Sequence, residues 1–439
     1  MTAAPLLLLA VATAPAAASP AVPVPASPAL AGAPPALARV LTAPEFAAAA
    51  AALRVDHPRF VDEIIRIAEI PAPPFGEAPR ARAFADLMRR SGIAEVGMDE
   101  LGNVVGVRPG RVRTLGPVVI AAHLDTVFPA GTNIAVRRQG TRLMAPGIGD
   151  DARGLALLLA FARALDRAAL ATERDILFVG NVGEEGPGDL RGIRHLFTND
   201  PRVRGTAAFI TVDGNGASMI ASRGVGSRRY RLVFAGPGGH SYDKFGLVNP
   251  MVPLAKTVSR LYATPVPRNP RTTYAASMVA GGTSVNSIPA RVHVDIDIRS
   301  VAPREVDRVD AHLRAIARQA VEEENAARST ARGRVSVVFE RIGDRPAGAS
   351  DESKGLAPLA FAASRAFGYQ PRYIAVSTDA NLPMSLGIPA IGIGSGGSGG
   401  AEHSPDEWID VGIEESVRGM SVGLATLVAA AGLAGAGGG

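Results

Sequence analysis

The stretch VVIAAHLDTVFP, Val118–Pro129, decides the fold. Its first five residues are all apolar, the mark of a strand buried on both faces. A histidine and an aspartate follow at once, His123 and Asp125. In open α/β sheets, chemistry collects just past the carboxyl ends of the strands. The segment therefore reads as a central strand that delivers a functional side chain. Three other runs have the same form. Ile176–Val182 leads into Glu184-Glu185, Ala207–Val212 into Asp213, and Ala390–Ile393 into a Gly-rich loop that holds His403. Helical spacing lies between them: Phe60–Ile70, stopped by Pro71, Pro73 and Pro74; Pro79–Ser91; the strongly apolar Gly154–Ala169; and Leu356–Phe367. Strands alternating with helices predict an α/β layer architecture with a mostly parallel sheet.

The pattern changes near Gly224. Arg228–Phe234 and Arg291–Ile298 alternate apolar with polar, as strands with one wet face do, and so predict an antiparallel sheet. Pro253–Leu261 reads as a helix between them. Val306, Val309, Leu313, Ile316 and Ala320 mark an amphipathic helix after them. This β-α-β-β-α-like unit interrupts the α/β layer, which resumes from about Gly343. The expected division is a leader over 1–40, a first catalytic part over 41–223, an insert over 224–338, a second catalytic part over 339–430 and a disordered tail over 431–439.

Composition narrows the function. The 439 residues carry 46 Lys+Arg against 41 Asp+Glu, a net charge of +5 without a basic block, which argues against a nucleic-acid binder. Cysteine is absent, so disulfides, thiolate catalysis and thiolate metal ligands are excluded. Any metal site must be built from His, Asp and Glu. Residues 1–40 hold 15 Ala and 8 Pro with Arg39 as their one charge. The apolar Leu6–Val11 and the small residues Ala16–Ser19 read as a signal peptide, hence export, although no Lys or Arg precedes the apolar run. No uninterrupted apolar stretch is long enough to predict a membrane span.

Each acidic or histidine piece has a bland reading by itself. A His-x-Asp is common, a Glu-Glu pair is often a solvated loop, and Asp150-Asp151 before a helix is often a cap. Their joint placement, at strand ends or a helix start with flanking glycines, is what carries weight. His57, His195, His293 and His312 lack that setting and are assigned surface or local roles. Several carboxylates brought together repel one another, and divalent cations relieve the repulsion. His with carboxylates and no Cys suits zinc, cobalt or manganese. Paired metals activate a water and polarise a carbonyl, while one unligated carboxylate takes the proton. One member of Glu184-Glu185 can ligate while the other acts as base, and Asp125 can orient the His123 ring.

These residues fall in segments that resemble a known family: AAHLDTVFP (121–129), GIGDDARG (147–154), GNVGEEGPGD (180–189), TVDG (211–214), GPGGHS (236–241), GGTSVNSIP (281–289), DIDIRS (295–300), STDAN (377–381) and AEHSPDEW (401–408). Together, over about residues 60–425, the chain resembles the co-catalytic zinc exopeptidases and amidohydrolases, which include peptidase T, glutamate carboxypeptidase, aminoacylase and succinyl-diaminopimelate desuccinylase. The resemblance implies a catalytic α/β domain with an inserted α+β lid, a unit that commonly forms homodimers. It implies two divalent ions, zinc foremost. It makes His123, Asp150, Glu185, Asp213 and His403 the ligands, with Asp150 bridging, Glu184 the general base and Asp125 the orienting acid. It makes His240 a lid group that reaches the substrate, and Asn286 and Arg299 its carboxylate binders. The chain departs from the family's pattern at Ala152, where relatives often carry Lys.

The expected activity is metal-dependent hydrolysis of an amide bond in small peptides, with N-acyl amino acids as the alternative substrates. A catalytically dead binding protein would lack a ligand or the base, and none is missing. A scaffold role for the oligomerising lid is the other alternative, and metal analysis of the purified protein separates either from the enzyme.

Overall fold

The structure is a computed structural model and describes residues 32–435. The four apolar runs become neighbouring strands in the order Ile176–Asn181, Val118–His123, Ala208–Val212, Ala390–Ile393. All three pairings among them are parallel. Their carboxyl ends therefore lie along one edge, the physical reason why four distant segments share a site. Antiparallel neighbours, Val104–Arg108 and Ala94–Met98 on one flank and Met219–Gly224 on the other, extend it; Gly348–Ala349 (antiparallel) and Arg372–Val376 (parallel) both pair with Met219–Gly224 and complete a nine-stranded sheet with mainly parallel centre.

Alternate residues of the central strand face different layers, as the two-residue period demands. Val118, Ile120 and Ala122 join the larger core, under the helices Pro44–Ala68, Arg153–Arg167 and Ile413–Ala431. Val119 and Ala121 join a second core, with Ile193 and Leu196 of the helix Arg191–Asn199. Burial on both faces explains why the strand is apolar without alternation. In the larger core Arg163, itself buried, donates to Asp56 Oδ2 at 2.8 Å and to both oxygens of Glu63 at 3.1 and 2.9 Å, tying the first long helix to Arg153–Arg167.

The insert is a four-stranded antiparallel sheet in the order Thr272–Gly281, Arg291–Ser300, Gly226–Ala235, Ser336–Arg345. Its alternation works as expected. Tyr230, Leu232, Phe234, Val292, Val294, Ile296 and Ile298 pack with the helices Met251–Tyr262 and Pro303–Ala327. The other face of the sheet carries Arg229, Asp297 and Arg299.

Three expected boundaries change. The insert does not end at 338: Ser336–Arg345 pairs along its whole length with Gly226–Ala235, so the unit closes with a further strand. The leader does not reach residue 40. Pro35–Thr42 is a helix whose Leu37, Val40 and Leu41 are buried in the larger core, an i, i+3, i+4 stripe hidden by its Ala/Pro setting. The tail is ordered at its start: Ala431 and Gly432 carbonyls accept from the N–H groups of Arg174 and Glu173 at 3.0 and 2.7 Å. Leu6–Val11 and Ala16–Ser19, the segments on which the signal-peptide expectation rests, and the tail residues 436–439 lie outside the described residues. Among the described residues no single helix is long and apolar enough to cross a membrane.

Candidate metal centre and catalytic cleft

His123 is the last residue of its strand and is buried. Its Nδ1 meets the main-chain oxygen of Asp125 at 3.0 Å, which turns Nε2 toward Asp150 Oδ1 at 2.7 Å. The orienting role expected of Asp125 is thus split. Its carbonyl serves the imidazole, while its carboxylate stands 3.7 Å from Nδ1, beyond a good hydrogen bond. That carboxylate instead accepts from the N–H groups of Glu184 at 3.0 Å and Glu185 at 2.8 Å. It fixes the glutamate pair against the histidine strand. Behind this turn the fully buried Arg80 donates to the carbonyls of Ile70 and Leu124 at 2.7 and 2.9 Å, holding the loop after His123 in place.

Asp150 and Asp151 behave differently. Asp151 accepts from His123 N–H and from Gly154 N–H, both at 3.1 Å, and so caps the helix Arg153–Arg167. Gly154 is required there, because a Cβ would stand 2.1 Å from Asp151 Oδ1. Asp150 instead turns its two oxygens to the two histidines, with Oδ2 3.0 Å from His403 Nε2. His403 reaches it through a small sheet in which Trp408–Asp410 pairs with both Ser398–Gly400 and Arg142–Met144. This sheet joins the His403 loop to the Asp150 loop, 253 positions earlier (403 − 150). Glu407 completes the join: its buried carboxylate accepts from the N–H groups of Gly147, Gly149 and Asp150 at 2.8, 2.7 and 2.9 Å.

Ligand atoms collect in two groups that share Asp150. One is His123, Asp150 and Asp213; the other is Asp150, Glu185 and His403, with His403 Nε2 3.0 Å from Glu185 Oε1. In each group the donor atoms lie within 4.8 Å of one another. All are imidazole nitrogens or carboxylate oxygens, the donor set that divalent zinc, cobalt and manganese accept. The electrostatics fit the same reading. Burial and the neighbouring Asp150 push the Asp213 carboxyl up to about 8. The bonds to Asp150 and Glu185 lift His403 to about 11. Carboxylates buried this close together repel one another, a repulsion that divalent cations held by these groups would relieve.

Glu184 belongs to neither group around Asp150, although it lies close to His123 and Glu185. It is buried, and burial raises its carboxyl against the pull of Arg345. Arg345 Nη1 donates to Glu184 Oε1 at 2.9 Å and to Ser377 Oγ at 3.2 Å, and its Nη2 donates to the Glu184 carbonyl. Both Arg345 and Glu407 were missed in the sequence. Glu407 stands inside a quoted motif, AEHSPDEW, whereas Arg345 lies in RIGDRPAG, which gave no signal. Asp379 of STDAN is also buried at the site, accepting from Asn181 Nδ2 at 2.7 Å.

These groups open onto a cleft of about 820 Å³, lined on one side by Asp150, Glu184, Glu185, Asp213 and His403 and on the lid side by Arg229, Arg299 and Arg345. Arg299 is thus brought to the site. His240 and Asn286 are not. They sit together, half-exposed and exposed, where Gly239–His240 pairs with Ser287–Ile288 and Ser241 N–H donates to the Asn286 carbonyl at 2.9 Å. Neither lines the cleft within this one chain.

A two-domain hydrolase with paired metal-ligand groups in the cleft between its domains is the class that fold and site define. The chain belongs to peptidase family M20/M25/M40, whose model matches residues 119–429. Its members are metallopeptidases and amidohydrolases that act with divalent metal, and this chain is an enzyme of that kind. No curated protein matches the sequence. Among solved structures, the fold is similar to aminopeptidase PepT from Bacillus cereus (20% identity, 85% of this chain and 99% of that one, TM-score 0.69). It is similar to the dinuclear metal-binding peptidase YxeP from Bacillus subtilis (19%, 85% and 98%, TM-score 0.61). It is also similar to a hydantoinase/carbamoylase family amidase from Burkholderia vietnamiensis (19%, 86% and 97%, TM-score 0.63).

Proposed function

We propose that the enzyme hydrolyses the amide bond of small peptides at a pair of divalent metal ions, zinc foremost, with Glu184 as general base. The observation that carries this reading is the sharing of Asp150: one oxygen faces His123 and the other His403, so the carboxylate bridges two complete ligand groups. His123 and Asp213 would hold one ion, and Glu185 and His403 the other. When bound, the ions supply Lewis acidity toward the amide carbonyl and lower the pKa of water.

The chain's own groups do the rest. Glu184, outside both groups, accepts the proton of the attacking water and returns it to the leaving nitrogen. Arg345 holds Glu184 by carboxylate and carbonyl, so the base has one position. Burial of the cluster strengthens each electrostatic contact by lowering the local dielectric. Arg299, half-exposed at the lid side, offers a guanidinium fork to the substrate carboxylate. The lid supports a homodimer. Thr272–Gly281 is an edge strand whose Met278 and Val279 are exposed at 62% and 64%. A second copy at that edge is the route by which His240 and Asn286 enter a neighbour's cleft.

Complete chelation abolishes hydrolysis, and zinc, cobalt or manganese restores it with about two ions per chain by metal analysis. Activity that survives full removal of metal sinks the proposal. A panel of di- and tripeptides against N-acyl amino acids then decides the substrate. Glu407 acts as a positioning residue for the Asp150 loop. Glu407→Gln weakens metal binding by about 10–100-fold, read by competition with a chromophoric chelator. Unchanged affinity removes that role.

A further inference from the structure

One carboxylate on a substrate needs one guanidinium, yet the lid side of the cleft presents three. Arg345 is already engaged: both of its terminal nitrogens are spent on Glu184 and Ser377. Arg229 and Arg299 are only partly engaged. They flank a single carboxylate on the sheet face opposite the lid helices. Arg299 Nε takes Asp297 Oδ2 at 2.7 Å, and Arg229 Nε lies 3.4 Å from Oδ1. Arg229 Nη1 donates at 3.2 Å to the carbonyl of Gly186, the residue after the ligand Glu185, which ties this guanidinium to the edge of the metal centre. Among the described residues, neither terminal nitrogen of Arg299 has a protein partner, nor has Nη2 of Arg229. The next carboxylate, Asp189, is already engaged by the N–H of Asp344 and faces Arg194 at 3.7 Å. Two cations thus share one anion at the wall of a cleft, and an anion of the substrate is the missing partner. Burial, with Arg345 and Arg299 nearby, holds the Arg229 pKa below its ordinary value, as expected where positive charge is under-compensated.

We propose that Arg229, beside Arg299, forms a second anion subsite, so that the enzyme selects amides carrying two carboxylates: peptides or N-acyl amino acids with an Asp or Glu side chain next to the free carboxylate. This rests on the amide-hydrolase reading above, with Arg299 taking the terminal carboxylate and Arg229 the side-chain one. A guanidinium and a carboxylate form a charge-assisted, bidentate pair that an amide cannot reproduce.

The test uses the metal-loaded enzyme on isosteric pairs, Ala-Glu against Ala-Gln and N-acetyl-Glu against N-acetyl-Gln. The expected ratio of kcat/KM favours the Glu member by about tenfold or more and shrinks with added salt. Arg229→Gln brings the ratio close to one, whatever happens to the absolute rates, and Arg229→Lys gives an intermediate ratio. A wild-type ratio near one, or a ratio unchanged in Arg229→Gln, overturns the proposal. A binding measurement runs beside it. Glutarate raises the Tm more than butyrate in the wild type, and the difference disappears in Arg229→Gln. If neither pair is hydrolysed, the proposed small-peptide and N-acyl amino acid substrates fail while this comparison still decides the subsite; equal shifts in the wild type overturn it.

Discussion

Replacing Glu184 with Gln lowers kcat by about 10²–10⁴-fold while the metal content stays at the wild-type level. The expectation follows from where Glu184 lies. The two ligand groups that share Asp150 are complete without it. Its carboxylate is buried beside them and held by Arg345 at 2.9 Å. Gln keeps an oxygen for that guanidinium but cannot take a proton from water. Metal analysis and turnover, measured on the same preparation, separate the roles. Near-normal turnover with full metal removes Glu184 as base. Loss of metal with loss of turnover moves it among the ligands, a role its closeness to His123 and Glu185 makes worth testing.

Arg163→Met destabilises the fold by about 3–5 kcal/mol, the usual cost of leaving buried charge without its partner. Asp56 and Glu63, both buried, lose the guanidinium that serves them together, and only Glu63 keeps a second cation, Arg59 at 3.0 Å. Against a typical total of about 5–15 kcal/mol, this is a large fraction. The effect reaches the site by a short path, because Arg163 stands on the helix that Asp151 caps beside Asp150. Urea unfolding of the single variant measures it. Adding Asp56→Asn and Glu63→Gln recovers part of the loss by removing the stranded charge. A change below about 1 kcal/mol shows that the site tolerates the two carboxylates by other means.

What was legible in the sequence was whatever the parallel sheet imposes locally. Strands buried on both faces must be apolar throughout, and their carboxyl ends must carry the chemistry, so Val118–His123, Ile176–Asn181, Ala208–Val212 and Ala390–Ile393 were readable together with His123, the glutamate pair and Asp213. The lid strand Thr272–Gly281 was not: it is an exposed edge, TTYAASMVAG, with no apolar alternation to reveal it. Pro35–Thr42 was hidden because an Ala/Pro composition is shared by leaders and by helices of small residues. Arg345 and Glu407 escaped for another reason. An arginine at a strand end or a glutamate in a loop has no local mark of purpose; each acquires one only when a distant backbone or carboxylate is brought against it.

The small sheet that joins Trp408–Asp410 to Arg142–Met144 has a consequence for biosynthesis. His403 and Glu407 belong to the last tenth of the chain, whereas the strand that carries His123 is made early. A nascent polypeptide that has passed Asp213 carries every member of the His123, Asp150 and Asp213 group, whereas the group of Asp150, Glu185 and His403 stays one ligand short until the final segment is made. Completion of the second group is therefore tied to the last segment: a product stopped before residue 403 lacks His403, and with it Glu407, whose carboxylate fixes the Asp150 loop.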